Sequence, residues 1–284
     1  MSISHTSEII RTNFAKKSKM DNFFQLQGGK IHYTDMGSGT AIVLVHGYLE
    51  TSEILIHFAE RLSGNFRVIV PDLPGHGRSD SLNEAYTMEF MASVIAELLK
   101  HAGIEQAFIA GHSLGGYITL AFAEKYPQML SGYSLLHSQP MADDEDKKAK
   151  RNAEIQLVRE GRKNIFIPGN IARLYATFNL EKFSEALDFS TETALGVPGE
   201  AIIRVLEGMK ERPSRAFIME EDHIPCLWIL GAHDNLIDCK AVRSIVKLPQ
   251  KSKVAILKKS GHMGFIEEED ESVRLITEFV NDIR

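Results

Sequence analysis

QAFIAGHSLGGYITLAFAEKYP, residues 106–127, turns an apolar run sharply into a helical one, with a serine at the corner. Gln106-Ala107-Phe108-Ile109-Ala110 reads as a short buried strand. Residues 117–126 have a helical composition and stop at Pro127. Between them, Gly111-His112-Ser113-Leu114-Gly115 places glycines two before and two after Ser113. Such glycines let backbones pack closely around a strained turn that lifts the hydroxyl into open space. Ser113 then sits at a helix N-terminus, where free N–H groups and the dipole favour developing negative charge. With a strand before it and a helix after it, G-x-S-x-G reads as a nucleophile elbow.

A serine hydroxyl is a poor nucleophile at neutral pH, so it needs a base and an acid that orients the base. Residues 224–231 form a buried-strand run that leads into Ala232-His233-Asp234. Residues 253–257 form another, leading into Ser260-Gly261-His262-Met263-Gly264. Asp234 and His262 therefore fall just past the C-terminal ends of strands, the edge on which open α/β sheets place their crevice. Asp238, four residues on, competes with Asp234 for the role of acid. Of the eleven histidines, only His262 follows the last strand and lies between glycines. His112 reads as a local packing or hydrogen-bonding residue, and His46 and His76 as shapers of their own loops. His137, after the strand at 132–136, is left open as a pocket residue.

Two further pieces complete the pattern: His46-Gly47 after the strand at 41–45, and Asp72-Leu73-Pro74-Gly75-His76-Gly77-Arg78-Ser79 after the strand at 67–70. With these four motifs in this order, the chain resembles the α/β-hydrolase fold superfamily, in its capped, serine-nucleophile, esterase- or lactonase-like branch. The likeness runs from about Phe23 to the end, apart from an insert. It implies that Ser113 attacks a carbonyl, His262 carries the proton and Asp234 holds the imidazole. It also implies an oxyanion hole made by the backbone N–H groups of Leu114 and Tyr48. Serine at position 113 disfavours the relatives that use an aspartate nucleophile. The carbon–carbon hydrolases have a Gly-rich loop after His-Gly that Tyr48-Leu49-Glu50-Thr51 does not match.

Composition agrees with a soluble globular enzyme: 284 residues, 44% hydrophobic and 25% charged. A net charge of −6 argues against nucleic acid as a partner. No apolar stretch is long enough to span a bilayer. Two cysteines, Cys226 and Cys239, make no disulfide framework and suit a cytoplasmic location. No metal is expected, since neither H-E-x-x-H nor paired Cys-x-x-Cys spacing occurs. No organic cofactor is expected either, because Gly75-His76-Gly77 lacks the third glycine of a dinucleotide loop. Residues 1–19 carry Arg11, Lys16, Lys17 and Lys19 without a secretory apolar core. Met20 is read as an alternative initiator, or residues 1–20 as a tail.

From residue 21 the order is strand, helix, strand, helix, which predicts a mainly parallel sheet covered on both faces. Residues 23–26 and 30–36 read as an opening hairpin around Gly28-Gly29. Met88–His101 is the clearest helix, capped by Thr87, with an apolar face of Met91, Val94, Ile95, Leu98 and Leu99, and ended by Gly103. A last helix spans about 270–283. The core is thus 21–137 and 224–284, and residues 138–223 interrupt the strand rhythm. In that insert, 143–151 reads as a solvated helix face with Asp143–Lys147, Asp144–Lys148 and Asp146–Lys150 pairs. Further helical pieces are predicted at about 170–178, 180–190 and 199–211. The resemblance implies an eight-stranded-type sheet, and an insert that forms a helical cap after the sixth strand. It points to hydrolysis of a small to medium, ester-like molecule through an acyl-enzyme. A lactonase, a carbon–carbon hydrolase and a cofactor-free haloperoxidase or perhydrolase share the same triad. A triad-using lyase and a non-enzymatic receptor on this fold stay open.

Overall fold

A computed structural model describes residues 20–221 and 223–283; the expectation for the tail at 1–19 lies outside them. One sheet of eight strands organises the chain, in the order β1-β2-β4-β3-β5-β6-β7-β8. The strands are β1 (Met20–Leu26), β2 (Gly29–Gly37), β3 (Ala41–Val45), β4 (Arg67–Pro71), β5 (Ala107–His112), β6 (Leu130–Leu136), β7 (Cys226–Gly231) and β8 (Lys253–Leu257). β1, β2 and β4 pair antiparallel, and every later pairing is parallel. Both faces of the central strands are covered, since β3, β5 and β7 are buried at every residue. That double burial is why they read as unbroken apolar runs rather than alternating ones. β7 starts two residues later than the apolar pattern predicts. Pro225 has no N–H to give the ladder, although its carbonyl accepts from Tyr133 at 3.0 Å.

Helices α1 (Ser52–Leu62), α2 (Met88–His101) and α3 (Leu114–Lys125) follow β3, β4 and β5. α2 matches its sequence reading: Thr87 Oγ1 accepts from Phe90 N at 3.1 Å, the five apolar residues are buried, and Gly103 takes φ +67°. Between β6 and β7 run α4 (Glu145–Arg159), α5 (Lys163–Ala172), α6 (Ser184–Gly196), α7 (Gly199–Glu211) and α8 (Ala216–Glu220). After β7 come α9 (Cys239–Ile245), α10 (Gly264–Glu267) and α11 (Glu269–Asp282).

The insert departs from its sequence reading at three places. α7 lies where expected, but α5 runs straight through Pro168, which the pattern reads as a breaker. Residues 170–178 accordingly end one helix and pass into a short 3-10 turn at Thr177–Asn179. α6 begins four residues late and continues to Gly196. At the start of the insert, Asp143 precedes the helix and so cannot make an i,i+4 pair. It is buried and ion-paired with Arg151 and, at 2.8 Å, with Arg212. Asp144 instead caps α4 by accepting from Lys147 N at 2.8 Å, and the surface pairs fall at i,i+3, Lys147–Asp144 and Lys148–Glu145.

Candidate active site

The parallel strands end on one edge, and the three candidate side chains follow β5, β7 and β8 there. Ser113 adopts φ 50°, ψ −109°, a region that costs a non-glycine residue about 1–3 kcal/mol. The surroundings enforce it. Ser113 N donates to Leu136 O at 3.0 Å, and Ser138 Oγ donates to Ser113 O at 2.7 Å, so β6 grips the corner. A Cβ on Gly111 would lie 2.2 Å from Gly115 O, and one on Gly115 would lie 2.2 Å from Val45 O. The two glycines of the motif are therefore there because backbone meets backbone on both sides of the serine.

The side chains of His262 and Asp234 are both buried, and His262 Nδ1 lies 2.7 Å from Asp234 Oδ2. The other carboxylate oxygen accepts from Leu236 N at 2.8 Å and Ile237 N at 3.0 Å, which fixes the side chain. Burial alone would raise the Asp234 carboxyl; the charge and hydrogen bond of His262 outweigh it and hold the group below the usual carboxylate range. With Nδ1–H donated to Asp234, Nε2 carries the free lone pair, and it is buried without a hydrogen-bond partner. Asp238 is placed elsewhere: it caps α9 through Lys240 N and Ala241 N at 2.9 and 3.1 Å.

The other histidines sort by their partners. His46 Nε2 accepts from Leu73 N at 3.1 Å and its Nδ1 faces Gly47 O at 2.9 Å, bracing two loops. His76 Nδ1 faces Pro74 O at 3.0 Å, and burial pushes its pKa down to about 3. His137 is buried at φ 47°, with Nδ1 3.9 Å from Asp234 Oδ2. Burial lowers it to about 3 as well, so it is a neutral neighbour of that carboxylate at ordinary pH. Among the described residues, no group of three or more His, Cys, Asp or Glu is placed to hold a metal ion.

The insert reaches both sides of this edge. Tyr48, expected to offer its N–H, also donates its hydroxyl to Glu154 Oε2 of α4 at 3.0 Å, while Asn170 of α5 donates to Oε1 at 2.9 Å. On the histidine side, His262 N donates to Leu174 O at 2.6 Å. Glu267, which the sequence reading missed, closes the same junction. Its Oε1 accepts from Ala176 N and Asn179 Nδ2 and its Oε2 from Gly261 N, all at 2.8 Å. It stands in the acidic run Glu267-Glu268-Glu269-Asp270, where no sequence signal separates a buried carboxylate from solvated ones. Glu267→Gln keeps one acceptor and turns an N–H₂ toward a backbone N–H. We expect it to destabilise the fold by about 1.5–3 kcal/mol, the range for hydrogen bonds to a charged group, read by urea unfolding. An unchanged midpoint would refute this.

Apolar insert residues divide between several environments. Ile167 and Tyr175 are fully buried, whereas Ile165 and Phe178 are each 58% exposed. Phe183 and Phe189 line a cavity of about 880 Å³ with Ile54, Phe58 and Phe265, between α1, α6 and α10. None of Ser113, Asp234 or His262 lines that cavity.

A family model described as the alpha/beta hydrolase fold matches residues 40–157. Among solved structures, a thermophilic esterase from Thermogutta terrifontis superposes with a TM-score of 0.84 at 26% identity, covering 93% of this chain and 97% of that one. The chain has the α/β-hydrolase fold. Lipase 1 of Psychrobacter immobilis is 25% identical over 96% of this chain and 87% of its own length. An uncharacterized protein of Mycobacterium bovis is 34% identical over 122 residues, 43% of this chain. That match spans only 36% of the relative's length. Among the described residues, no helix is long and apolar enough to cross a membrane.

Proposed function

We propose that this chain is a serine hydrolase that cleaves small to medium, largely apolar carboxylic esters through an acyl-enzyme on Ser113. One observation carries the reading: on the same sheet edge as the elbow, the His262 imidazole is held at Nδ1 by Asp234 at 2.7 Å, with a buried, unpartnered Nε2. Ser113 Oγ attacks the ester carbonyl while Nε2 takes its proton, then passes it to the departing alcohol. Water, deprotonated in turn by Nε2, attacks the acyl-enzyme and releases the acid and the free serine. The oxyanion of each tetrahedral species accepts from Leu114 N–H and Tyr48 N–H; losing one such donor costs about 10²–10³ in turnover. The insert at 138–223 acts as the cap, excluding water and shaping the acyl or alcohol pocket. Similarity to an esterase and a lipase over most of the chain supports this reading.

The test is hydrolysis of p-nitrophenyl esters from acetate to laurate, with a fluorophosphonate probe run in parallel. Turnover with a preferred chain length, and labelling at Ser113, are expected. A folded protein that turns over no member of the series and leaves Ser113 unlabelled would overturn the proposal.

A further inference from the structure

Glu50 and His112 form a buried pair, 2% and 1% exposed, that the chemistry above does not use. His112 Nδ1 lies 2.9 Å from Glu50 Oε1 and 3.0 Å from Oε2, and Nε2 lies 3.0 Å from the backbone carbonyl oxygen of His262. A carbonyl can only accept, and so can a carboxylate; an imidazole satisfies both only with a proton on each nitrogen. Glu50 Oε2 also accepts from Gly47 N at 2.6 Å. With Nδ1 set against both oxygens and a further donor on Oε2, the geometry suits a charged carboxylate.

The pair thus touches three parts of the site. Through Gly47 it holds the loop that carries Tyr48. Through its own backbone His112 is joined to Ser113. Through His262 O it holds the turn that carries the base. The loop needs such a hold: Leu49, a non-glycine residue, sits at φ 64°, a strain that persists only when the surroundings enforce it. Gly47 leaves room for it, since a Cβ there would lie 2.8 Å from His112 Nδ1 and 3.0 Å from the Glu50 carboxylate. The Tyr48-Leu49-Glu50-Thr51 segment, which departs from a Gly-rich loop, is tied to His112 and Gly47 through the Glu50 carboxylate.

We propose that Glu50 and His112 are positioning residues: a carboxylate–imidazolium strut that keeps the oxyanion loop, the elbow and the His262 turn in register. The groups facing His112 agree. His262 stands 5.0 Å away between ring centroids and His137 6.3 Å, with the Phe265 edge at 4.9 Å, and Asp234 adds a further negative charge from beyond β7. Burial works against a charged His112, but the charge and hydrogen bond of Glu50 override it and raise the ring above its ordinary value, while Glu50 falls below its own. The carboxylate also cancels the imidazolium charge, which would otherwise oppose protonation of His262 as it takes the serine proton.

Two measurements decide the matter. The first is nitrogen NMR of the histidine side chains in the wild-type protein, which needs neither substrate nor variant. Both ring nitrogens of His112 are expected to stay protonated at pH 8, well above the ordinary histidine value of about 6.5. An unprotonated Nδ1 or Nε2 there would overturn the strut. The second is Glu50→Gln, assayed on the best p-nitrophenyl ester and normalised by active-site titration with the fluorophosphonate. We expect kcat per titrated site to fall about 10²-fold, the scale of a misplacement of about 1 Å, with KM changed less than about threefold. His112 is expected to lose one ring proton at pH 8 in this variant. A variant with lower stability but wild-type kcat per site would show a merely structural pair and refute the proposal. Only the kinetic arm rests on the ester-hydrolase reading. If the wild type cleaves no ester, that reading fails, while the NMR arm still decides the strut.

Discussion

Ser113→Ala is expected to lower kcat on the preferred p-nitrophenyl ester by about 10⁶-fold, and His262→Ala by a similar factor. The double variant should be only a few-fold worse than either. In the proposed mechanism the two groups perform one step: without the hydroxyl, the base at Nε2 has nothing to activate, and without the base the hydroxyl is not a nucleophile. What survives is the contribution of the oxyanion donors and of binding, about 10³–10⁴ over water. Ser113→Ala leaves no buried charge, whereas His262→Ala strips the buried Asp234 carboxylate of its imidazole partner. Ser113→Ala also releases a hydroxyl from a corner held by the backbone bonds of Ser113 N and O, so the thermal midpoint should stay near wild type. Additive losses in the double variant would show that Ser113 and His262 act in separate steps, against the acyl-enzyme mechanism.

Much of this arrangement is legible in one dimension because of how parallel sheets bury their strands. β3, β5 and β7 are apolar at nearly every residue, so each ends at a visible boundary, and the residues just after β5, β7 and β8 stand out. The elbow is legible for a stricter reason, since its two glycines are demanded by backbone contacts of 2.2 Å. Asp234 and Asp238 are not separable that way. Both follow β7 within eight residues, and only the folded chain shows Asp238 turned onto the N-terminus of α9 while Asp234 keeps Oδ2 for His262. Buried carboxylates are the least legible of all. Glu50, Asp143 and Glu267 look solvated in sequence, and each is buried against at least one donor from a distant segment. The helices of the insert are also poorly legible, because they pack on other insert helices and on loops rather than on a sheet with a fixed period.

Asp234→Asn is expected to reduce kcat by about 10⁴-fold while the protein stays folded. The amide can keep its carbonyl on Leu236 N and Ile237 N, where Asp234 Oδ1 now accepts at 2.8 and 3.0 Å. Its N–H₂ then faces His262 Nδ1, which must become the acceptor, and the ring proton moves to Nε2. A protonated Nε2 cannot take the proton of Ser113, so the base is present in the wrong tautomer. Stability should report the same contact through pH. The Asp234 carboxyl is held below its ordinary value, so its contribution is fully present above the unfolded value of about 3.9 and is lost as pH falls through the lower, folded value. The stability gap between wild type and Asp234→Asn should therefore be constant from neutral pH down to about 5 and narrow in more acid solution. Asp238→Asn is the matched control: asparagine caps a helix about as well as aspartate, so both kcat and stability should stay near wild type. Loss of activity in Asp238→Asn, with Asp234→Asn still active, would transfer the acid to Asp238 and leave the 2.7 Å contact with His262 as a structural bond alone.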